Sequence, residues 1–337
     1  METKIFTIDE LDKAGGIIRN GGLVAFPTET VYGLGASAWN ENAAEKIYAA
    51  KGRPSDNPLI VHIFDKTQIN DLARDISDTA KKLIDAFMPG PFTIILKKKD
   101  NIPDTVTAGL DTVGIRFPEN ETAVKFIEAA GVPIAAPSAN ISGKPSPTKA
   151  KHVIHDMNGR IDGIIDGGDC AVGVESTIVD ATGDVPVILR PGGVTYEMLK
   201  EAVPAAVIDE NVIKSTSVED KPKCPGMKYK HYSPDAEVVV VEGGKNEVQA
   251  KIKELLEVNR GKITGVLTMY ESGYDDAVIL SAGRSNKEYA NRLFSALREF
   301  DELGVTIVFA EFCEQDDYAL AVKNRLYKAA GNNVIHV

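Results

Sequence analysis

Through the first 200 residues, short apolar runs bounded by Gly and Pro are interleaved with stretches of helical period. The runs in "GGLVAFPT", "PLIVHIF", "FTIILKKK", "VGIRFP", "VPIAAPSA", "GIIDGG", "STIVDA" and "PVILRPG" predict strands. "NENAAEKIYAAKG" predicts a helix capped by Asn40 and stopped at Gly52, and "ISDTAKKLIDAFMPGP" one that ends at Pro89-Gly90. "NETAVKFIEAAG" and "SPTKAKHVIHDMNG" predict two more, the second with Ser146 as cap and Pro147 in its first turn. This mixture predicts a large mixed-sheet α/β unit.

From residue 235 the pattern becomes regular. "AEVVVVEGG", a helix at 246–259, "KITGVLTM", "DAVILSAG", a long helix at 285–303, "VTIVFAEF", a helix near 318–330 and "NNVIHV" follow one another. This βα rhythm predicts a small, Rossmann-like parallel sheet, although "VVVVEGGKNE" is a poor match to a phosphate fingerprint. Residues 203–234 join the two units and are long for a passive connection. The expected organisation is therefore 1–202, a linker at 203–234, and 235–337.

A chain of 337 residues fits two domains better than one core. Its 43% apolar and 26% charged residues describe a soluble globular protein. The longest apolar runs fall well short of the roughly 20 residues that span a bilayer. "METKIFTIDELDKAGG" lacks the apolar core of a signal peptide. The expectation is a cytoplasmic protein without membrane contact. Cys170, Cys224 and Cys313 lie too far apart to suggest a zinc site or a disulfide framework.

A net charge of −11 weighs against broad contact with nucleic-acid phosphates, while leaving room for a small anion held by local cations. One segment departs from that balance. "KPKCPGMKYKHYSP", residues 221–234, carries +4, with Pro222, Pro225 and Pro234, His231 and Tyr232. It has no apolar period and reads as neither helix nor strand, leaving a spacer, a nucleic-acid patch or part of an active site.

Several segments carry candidate chemistry. In "FPTETVYGLG", hydroxyls and backbone amides gather at a strand end, which suits a small polar ligand and equally a polar turn capping the core. In "KGRPSDNPLIVH", Lys51 and Arg53 follow a helix and precede two prolines. They read as a phosphate clamp or as cations complementing the helix dipole. His62, alone in an apolar strand, reads first as a satisfied core residue. Arg116, flanked by Ile115 and Phe117, needs an anion if buried, either a ligand carboxylate or an internal Asp. "PIAAPSANISGKPSPT" clusters Ser138, Asn140, Ser142 and Ser146 after a strand, as a polyphosphate cradle would. Ser176, Thr177 and Arg190 mark further strand ends. His152 and His155 read as helix-surface residues. P-loop, nucleophile-elbow and HExxH motifs are absent from the sequence.

Taken together, "PTETVYGLG", "KGRPSDNPL", "SAN" followed by "SGKPSPT", "GVESTIVD" and "LRPGG" resemble the YrdC-like family of threonylcarbamoyl-AMP synthases. "PGMKYKHYSP" and the α/β tail resemble its longer, two-domain branch. The resemblance implies an N-terminal domain with a concave cavity, and a nucleotidyltransferase. It would make threonylcarbamoyl-AMP and pyrophosphate from L-threonine, bicarbonate and ATP, with Mg²⁺. The product would pass to a tRNA-modifying transferase complex. The resemblance assigns Thr30, His62, Arg116, Ser176 and the backbone around Ala136 to threonine. It assigns Lys51, Arg53, Asn57, Thr112, Ser138, Asn140, Ser146 and Arg190 to ATP, with Lys51 and Arg53 central to catalysis and no metal held by side chains. It also makes 203–234 a lid that brings His231 and Tyr232 to the nucleotide.

Three alternatives stand beside this one. The first is a module that binds tRNA or double-stranded RNA without turnover, against which the acidity of the chain speaks. The second is a carbamoyl-transfer enzyme of hydrogenase maturation, whose extra zinc-finger modules would need CxxC pairs that the sequence lacks. The third is another amino-acid-dependent adenylating enzyme on the same scaffold.

Overall fold

The structure is a computed structural model that describes residues 2–214, 224–225, 231–270 and 273–337. The chain divides into two compact units, Met1–Ser142 with Ser146–Tyr229, and Gly143–Pro145 with Lys230–Val337.

The larger unit is built on one mixed sheet. In order across it lie Lys4–Phe6, Gly163–Ile165, Val24–Phe26, Gly33–Ser37, Ile134–Ala136, Ile60–His62, Thr112–Arg116, Phe92–Lys98, Thr177–Asp180, Val187–Arg190 and Val207–Ile208. Ala73–Arg74 pairs with Phe92–Lys98 off this path. The central strands are buried almost throughout, which explains their continuous apolar runs. The last strand, Val207–Ile208, falls inside the stretch that reads as a connection. It runs parallel to Val187–Arg190 and is too short to show a period.

Helix ends follow local chemistry. The Asn40 side chain accepts from the Ala43 amide to start Glu41–Lys51, and Gly52 ends it in the left-handed region. Asn120 opens Glu121–Ala130 in the same way. This helix packs on Leu11–Arg19 so closely that a Cβ on Gly15 would lie 2.7 Å from the Ala129 carbonyl carbon. Leu11, Ala14 and Ile18 meet Phe126, Ile127 and Ala130 there, within a large apolar cluster of the unit.

One helix start differs from the expectation. The helix Ala150–Met157 begins after Lys149, not at Ser146 and Pro147. The Pro147 carbonyl accepts from the Tyr32 amide at 2.9 Å, and the Ser146 hydroxyl donates to Glu175 at 2.7 Å. These long-range bonds keep 146–148 out of the helix. His152 is also not a surface residue. It is 2% exposed, and its Nδ1 accepts from the Thr148 amide. His155 is exposed, as expected.

The smaller unit holds a five-stranded, wholly parallel sheet in the order Val278–Ser281, Thr264–Thr268, Ile307–Phe312, Glu237–Glu242, Val334–His336. The helices Lys245–Val258, Asn286–Glu302 and Ala319–Ala329 connect it, as the rhythm predicts. Gly143–Pro145 belongs to this unit: the Gly143 carbonyl accepts from the Ser233 amide, and the Pro145 carbonyl from Arg298. Among the described residues, no helix is long and apolar enough to cross a membrane.

Candidate active site

In the larger unit, segments distant in sequence are tied into a continuous polar cradle at strand ends. Lys51, the last residue of its helix, is 2% exposed. Its Nζ donates to the carbonyls of Ser138 and Asn140, each at 2.5 Å. A helix-end cation in water would instead stay solvated, so Lys51 organises the "SAN" turn. That turn is fixed from its other side by the Ala139 amide, which donates to the Tyr32 carbonyl. The Ser138 hydroxyl donates to Asn140 Oδ1 at 2.5 Å, and the Asn140 amide donates to the Ile141 carbonyl. Arg53 Nη2 reaches the Asn57 carbonyl at 3.1 Å. The Asn57 side chain is fully buried, and neither of its amide atoms has a partner among the described residues.

Tyr32 extends the cradle. Its amide bonds to Pro147, next to Ser146, whose hydroxyl donates to Glu175. The following Ser176 hydroxyl lies 2.8 Å from that of Thr93. Arg190 Nε and Nη2 donate to the Ser176 carbonyl at 3.1 and 3.0 Å, and Nη2 also reaches its hydroxyl. This close passage needs the glycine at 192, where a Cβ would meet the Glu175 carbonyl oxygen at 2.3 Å.

A second cluster adjoins Thr30. Its hydroxyl lies 2.8 Å from that of Thr28, which approaches Arg116 Nη2 at 3.5 Å. Arg116 is 4% exposed and its internal partner is Glu29, at 2.7 Å, rather than an aspartate. His62 pairs with Arg116 in the neighbouring strand and with Ile134 across the other edge. Burial, seconded by the Arg116 charge, pushes the His62 imidazole down to about 3. The ring is therefore neutral near pH 7, with Nδ1 3.1 Å from the Ile60 carbonyl. Burial pushes the Cys170 thiol up to about 12, and a thiol so held is no nucleophile. Ala136 ends the strand that faces Ile60.

The structure thus links Lys51, Ser138 and Asn140 by direct bonds, and joins them through Tyr32, Pro147 and Glu175 to Ser146, Ser176 and Arg190. Thr30 and Arg116 both reach Thr28. Thr112 lines a small cavity with Pro58, Ile60, Thr93, Cys224 and Pro225. His231 and Tyr232 fall in the smaller unit, where Tyr232 is buried and stacks on Phe294 at 5.0 Å between ring centroids. Of the proposed lid, residues 215–223 and 226–230, with Lys221, Lys223, Lys228 and Lys230, lie outside the described residues. Cys224 is described: it is buried against Ile60, Ile95, Ile178 and Leu189, and the Pro225 carbonyl accepts from Arg190 Nη1 at 3.3 Å.

Sequence reasoning passed over Glu29 and Glu175. Both sit inside the segments it singled out, beside residues it named. The available signal was an acid within a run that is otherwise buried.

Fold and site define a mixed-sheet α/β protein with a polar, cation-bearing cradle at its strand ends and a second, parallel-sheet domain. Residues 16–192 match the Sua5, YciO and YrdC family described as "Telomere recombination", and residues 194–331 match the threonylcarbamoyl-AMP synthase C-terminal domain. The threonylcarbamoyl-AMP synthase of Pyrococcus abyssi is 49% identical, over 96% of this chain and 95% of its own length. That of Bacillus subtilis is 46% identical, over 99% and 100%. The crystal structure of P. abyssi Sua5 complexed with L-threonine superposes with a TM-score of 0.95 at 48% identity, covering 99% of this chain and 100% of that one. The YciO structure from E. coli covers 57% of the chain and 96% of its own, at 25% identity and a TM-score of 0.52. The chain belongs to the threonylcarbamoyl-AMP synthase family, in the branch that carries the C-terminal domain.

Proposed function

We propose that this chain is an L-threonylcarbamoyladenylate synthase, a nucleotidyltransferase acting in tRNA modification. L-threonine and bicarbonate give a carbamate. A carbamate oxygen attacks the α-phosphorus of ATP, the bond to the β-phosphate oxygen breaks, and pyrophosphate and water are released.

Transfer of this kind rests on positioning and charge stabilisation more than on a covalent nucleophile. The residue types of the cradle suit that division of labour. Arg116 takes the threonine carboxylate, with Thr30, Ser176, the backbone at Ala136 and a neutral His62 around the rest of the amino acid. Lys51 and Arg53 would offset charge as pyrophosphate leaves. Asn57, Thr112, Ser138, Asn140, Ser146 and Arg190 surround the nucleotide. The lone threonine methyl would separate threonine from serine by only about 1–3 kcal/mol.

Among the described residues, no group of three or more His, Cys, Asp or Glu side chains could hold a metal ion. A Mg²⁺ ion in this reaction would travel on the triphosphate oxygens. The linker 203–234 acts as the lid between the catalytic domain, 1–202, and the domain at 235–337. The docking of Cys224 and Pro225 on Arg190 and its apolar neighbours supports that reading. The product is a labile mixed anhydride that a tRNA-modifying transferase complex would consume, in the cytoplasm.

The observation that carries the proposal is the chain of bonds running from Lys51 through the "SAN" turn, Tyr32, Pro147 and Glu175 to Ser176 and Arg190. The test is pyrophosphate release from ATP with threonine and bicarbonate omitted in turn. Release should need both. Release without threonine would contradict the proposal, and salt-dependent tRNA binding with no release would favour the RNA-binding alternative.

A further inference from the structure

Glu29 is 8% exposed and lies deep in the threonine cluster. Its Oε1 sits 2.7 Å from Arg116 Nη2, yet the guanidinium N–H bonds are not aligned along that contact. Both carboxylate oxygens are buried, and neither accepts an aligned hydrogen bond from any group among the described residues. Arg116 Nε is buried and also without an acceptor. A buried carboxylate normally collects several donors, because leaving its lone pairs empty costs more than most folds tolerate. Here an anion and a cation stand side by side, each with bonding capacity that the protein does not use.

That arrangement is complementary to one kind of ligand. An amino acid offers a carboxylate and an ammonium group on adjacent positions of one carbon. Adding a lone anion to a neutral ion pair gains little, because the partner charge repels it. Adding a zwitterion alternates the signs, and the three ammonium donors meet the empty acceptors.

We propose that the buried Glu29–Arg116 pair reads the zwitterionic head of the amino acid, Arg116 taking the carboxylate and Glu29 the ammonium group. The proposal rests on the threonine reading above and adds a residue to it. Anchoring is consistent with the role: the Glu29 carbonyl accepts from the Val172 amide at 2.7 Å, and Thr28 bonds back to Val31, which stiffens the turn that presents the carboxylate. Once the nitrogen is carbamoylated it no longer carries a positive charge, so Glu29 holds the substrate more tightly than the product.

The test compares two ligands by calorimetry on the full chain: L-threonine, and 2,3-dihydroxybutanoate of matching stereochemistry, in which a hydroxyl replaces the amine. The native chain should prefer threonine by at least about tenfold. In Glu29→Gln that preference should shrink by roughly 10- to 100-fold, with threonine losing affinity and the analogue not. Glu29→Asp, which keeps the charge, should retain part of it. Equal loss for both ligands in Glu29→Gln would assign Glu29 only to holding Arg116 in place and overturn the proposal. So would a native chain that does not distinguish the two ligands, a measurement that needs no variant. A native chain that binds neither ligand would overturn the threonine reading itself.

Discussion

Glu29 in the larger unit and Glu311 in the smaller are both buried, and the two are treated in opposite ways. Glu311, fully buried in a strand of the smaller unit, accepts from the Thr268 hydroxyl, the Met269 and Tyr270 amides and the Tyr274 hydroxyl. Its charge is solvated by the protein, and burial together with this acid holds the Tyr274 hydroxyl well above the usual phenol range. Glu29 has one misaligned cation and no aligned donor among the described residues. The first pattern stabilises a fold. The second leaves bonding capacity for something that is not part of the chain. Among the described residues, the smaller unit also leaves the Asn286 side-chain amide and the Tyr289 hydroxyl without a partner, but both are uncharged and cost less to leave so, and its buried Arg325 is bonded through Nη1 to Asn324.

The contrast can be broken first at Lys51. Lys51→Ala removes the ammonium that ties Ser138 to Asn140 and that would face the phosphates. Pyrophosphate release should fall by about 100-fold or more, as when an oxyanion-stabilising donor is lost. An unchanged rate would mean that the cradle is structural only.

The second test falls on the other glutamate. Glu311→Gln leaves at least one of its donors facing an amide nitrogen. It should lower unfolding free energy by about 1–3 kcal/mol in denaturant titration while turnover per folded molecule stays the same. If turnover falls and stability does not, the two glutamates have been assigned the wrong way round.

The third uses pH. The folded chain holds His62 neutral down to about 3, whereas an unfolded imidazole protonates near 6.5. Its contribution to stability is complete above about pH 6.5 and is lost as pH falls toward 3, by about 1.4 kcal/mol per pH unit once below the unfolded value. His62→Gln should remove that part of the acid slope, measured as about one proton fewer taken up on unfolding at pH 5. An unchanged slope would contradict the buried, neutral ring.

The smallest effect concerns Cys170. Its buried thiol should resist alkylation in the native chain while the half-buried Cys313 reacts, a difference that peptide mapping reads directly. Early labelling of Cys170 would show that the wall behind Glu29 opens.

What the sequence revealed of this molecule was whatever is decided locally. Asn40 and Gly52 bracket their helix because capping needs only neighbours. The small parallel sheet declared itself through its regular alternation of strands and helices, with Glu237–Glu242, Thr264–Thr268 and Ile307–Phe312 mostly apolar and largely buried. Ser146 misled because the Tyr32 amide and Glu175, far away in sequence, outbid the local capping preference. His152 misled for a different reason: its face of the helix is turned inward, where its Nδ1 accepts from the Thr148 amide four residues earlier. The site residues were legible as types, Lys and Arg near rigid turns and Ser, Thr and Asn at strand ends, and the resemblance to a known family ordered them. Their partners were not legible. Nothing in "TVGIRFP" points to Glu29, since that pairing is made by strand order and not by spacing. Val207–Ile208 escaped because two residues carry no period.

The central claim is that one pocket of the larger unit holds an amino acid beside a triphosphate. A crystal structure of the chain with L-threonine and a non-hydrolysable ATP analogue tests it most directly. The account predicts the threonine carboxylate on Arg116, its nitrogen toward Glu29, and the α-phosphate between that nitrogen and the Lys51–Arg53 side of the cradle. Threonine and nucleotide bound in separate places, or Arg116 still closed on Glu29 with the amino acid elsewhere, would contradict it.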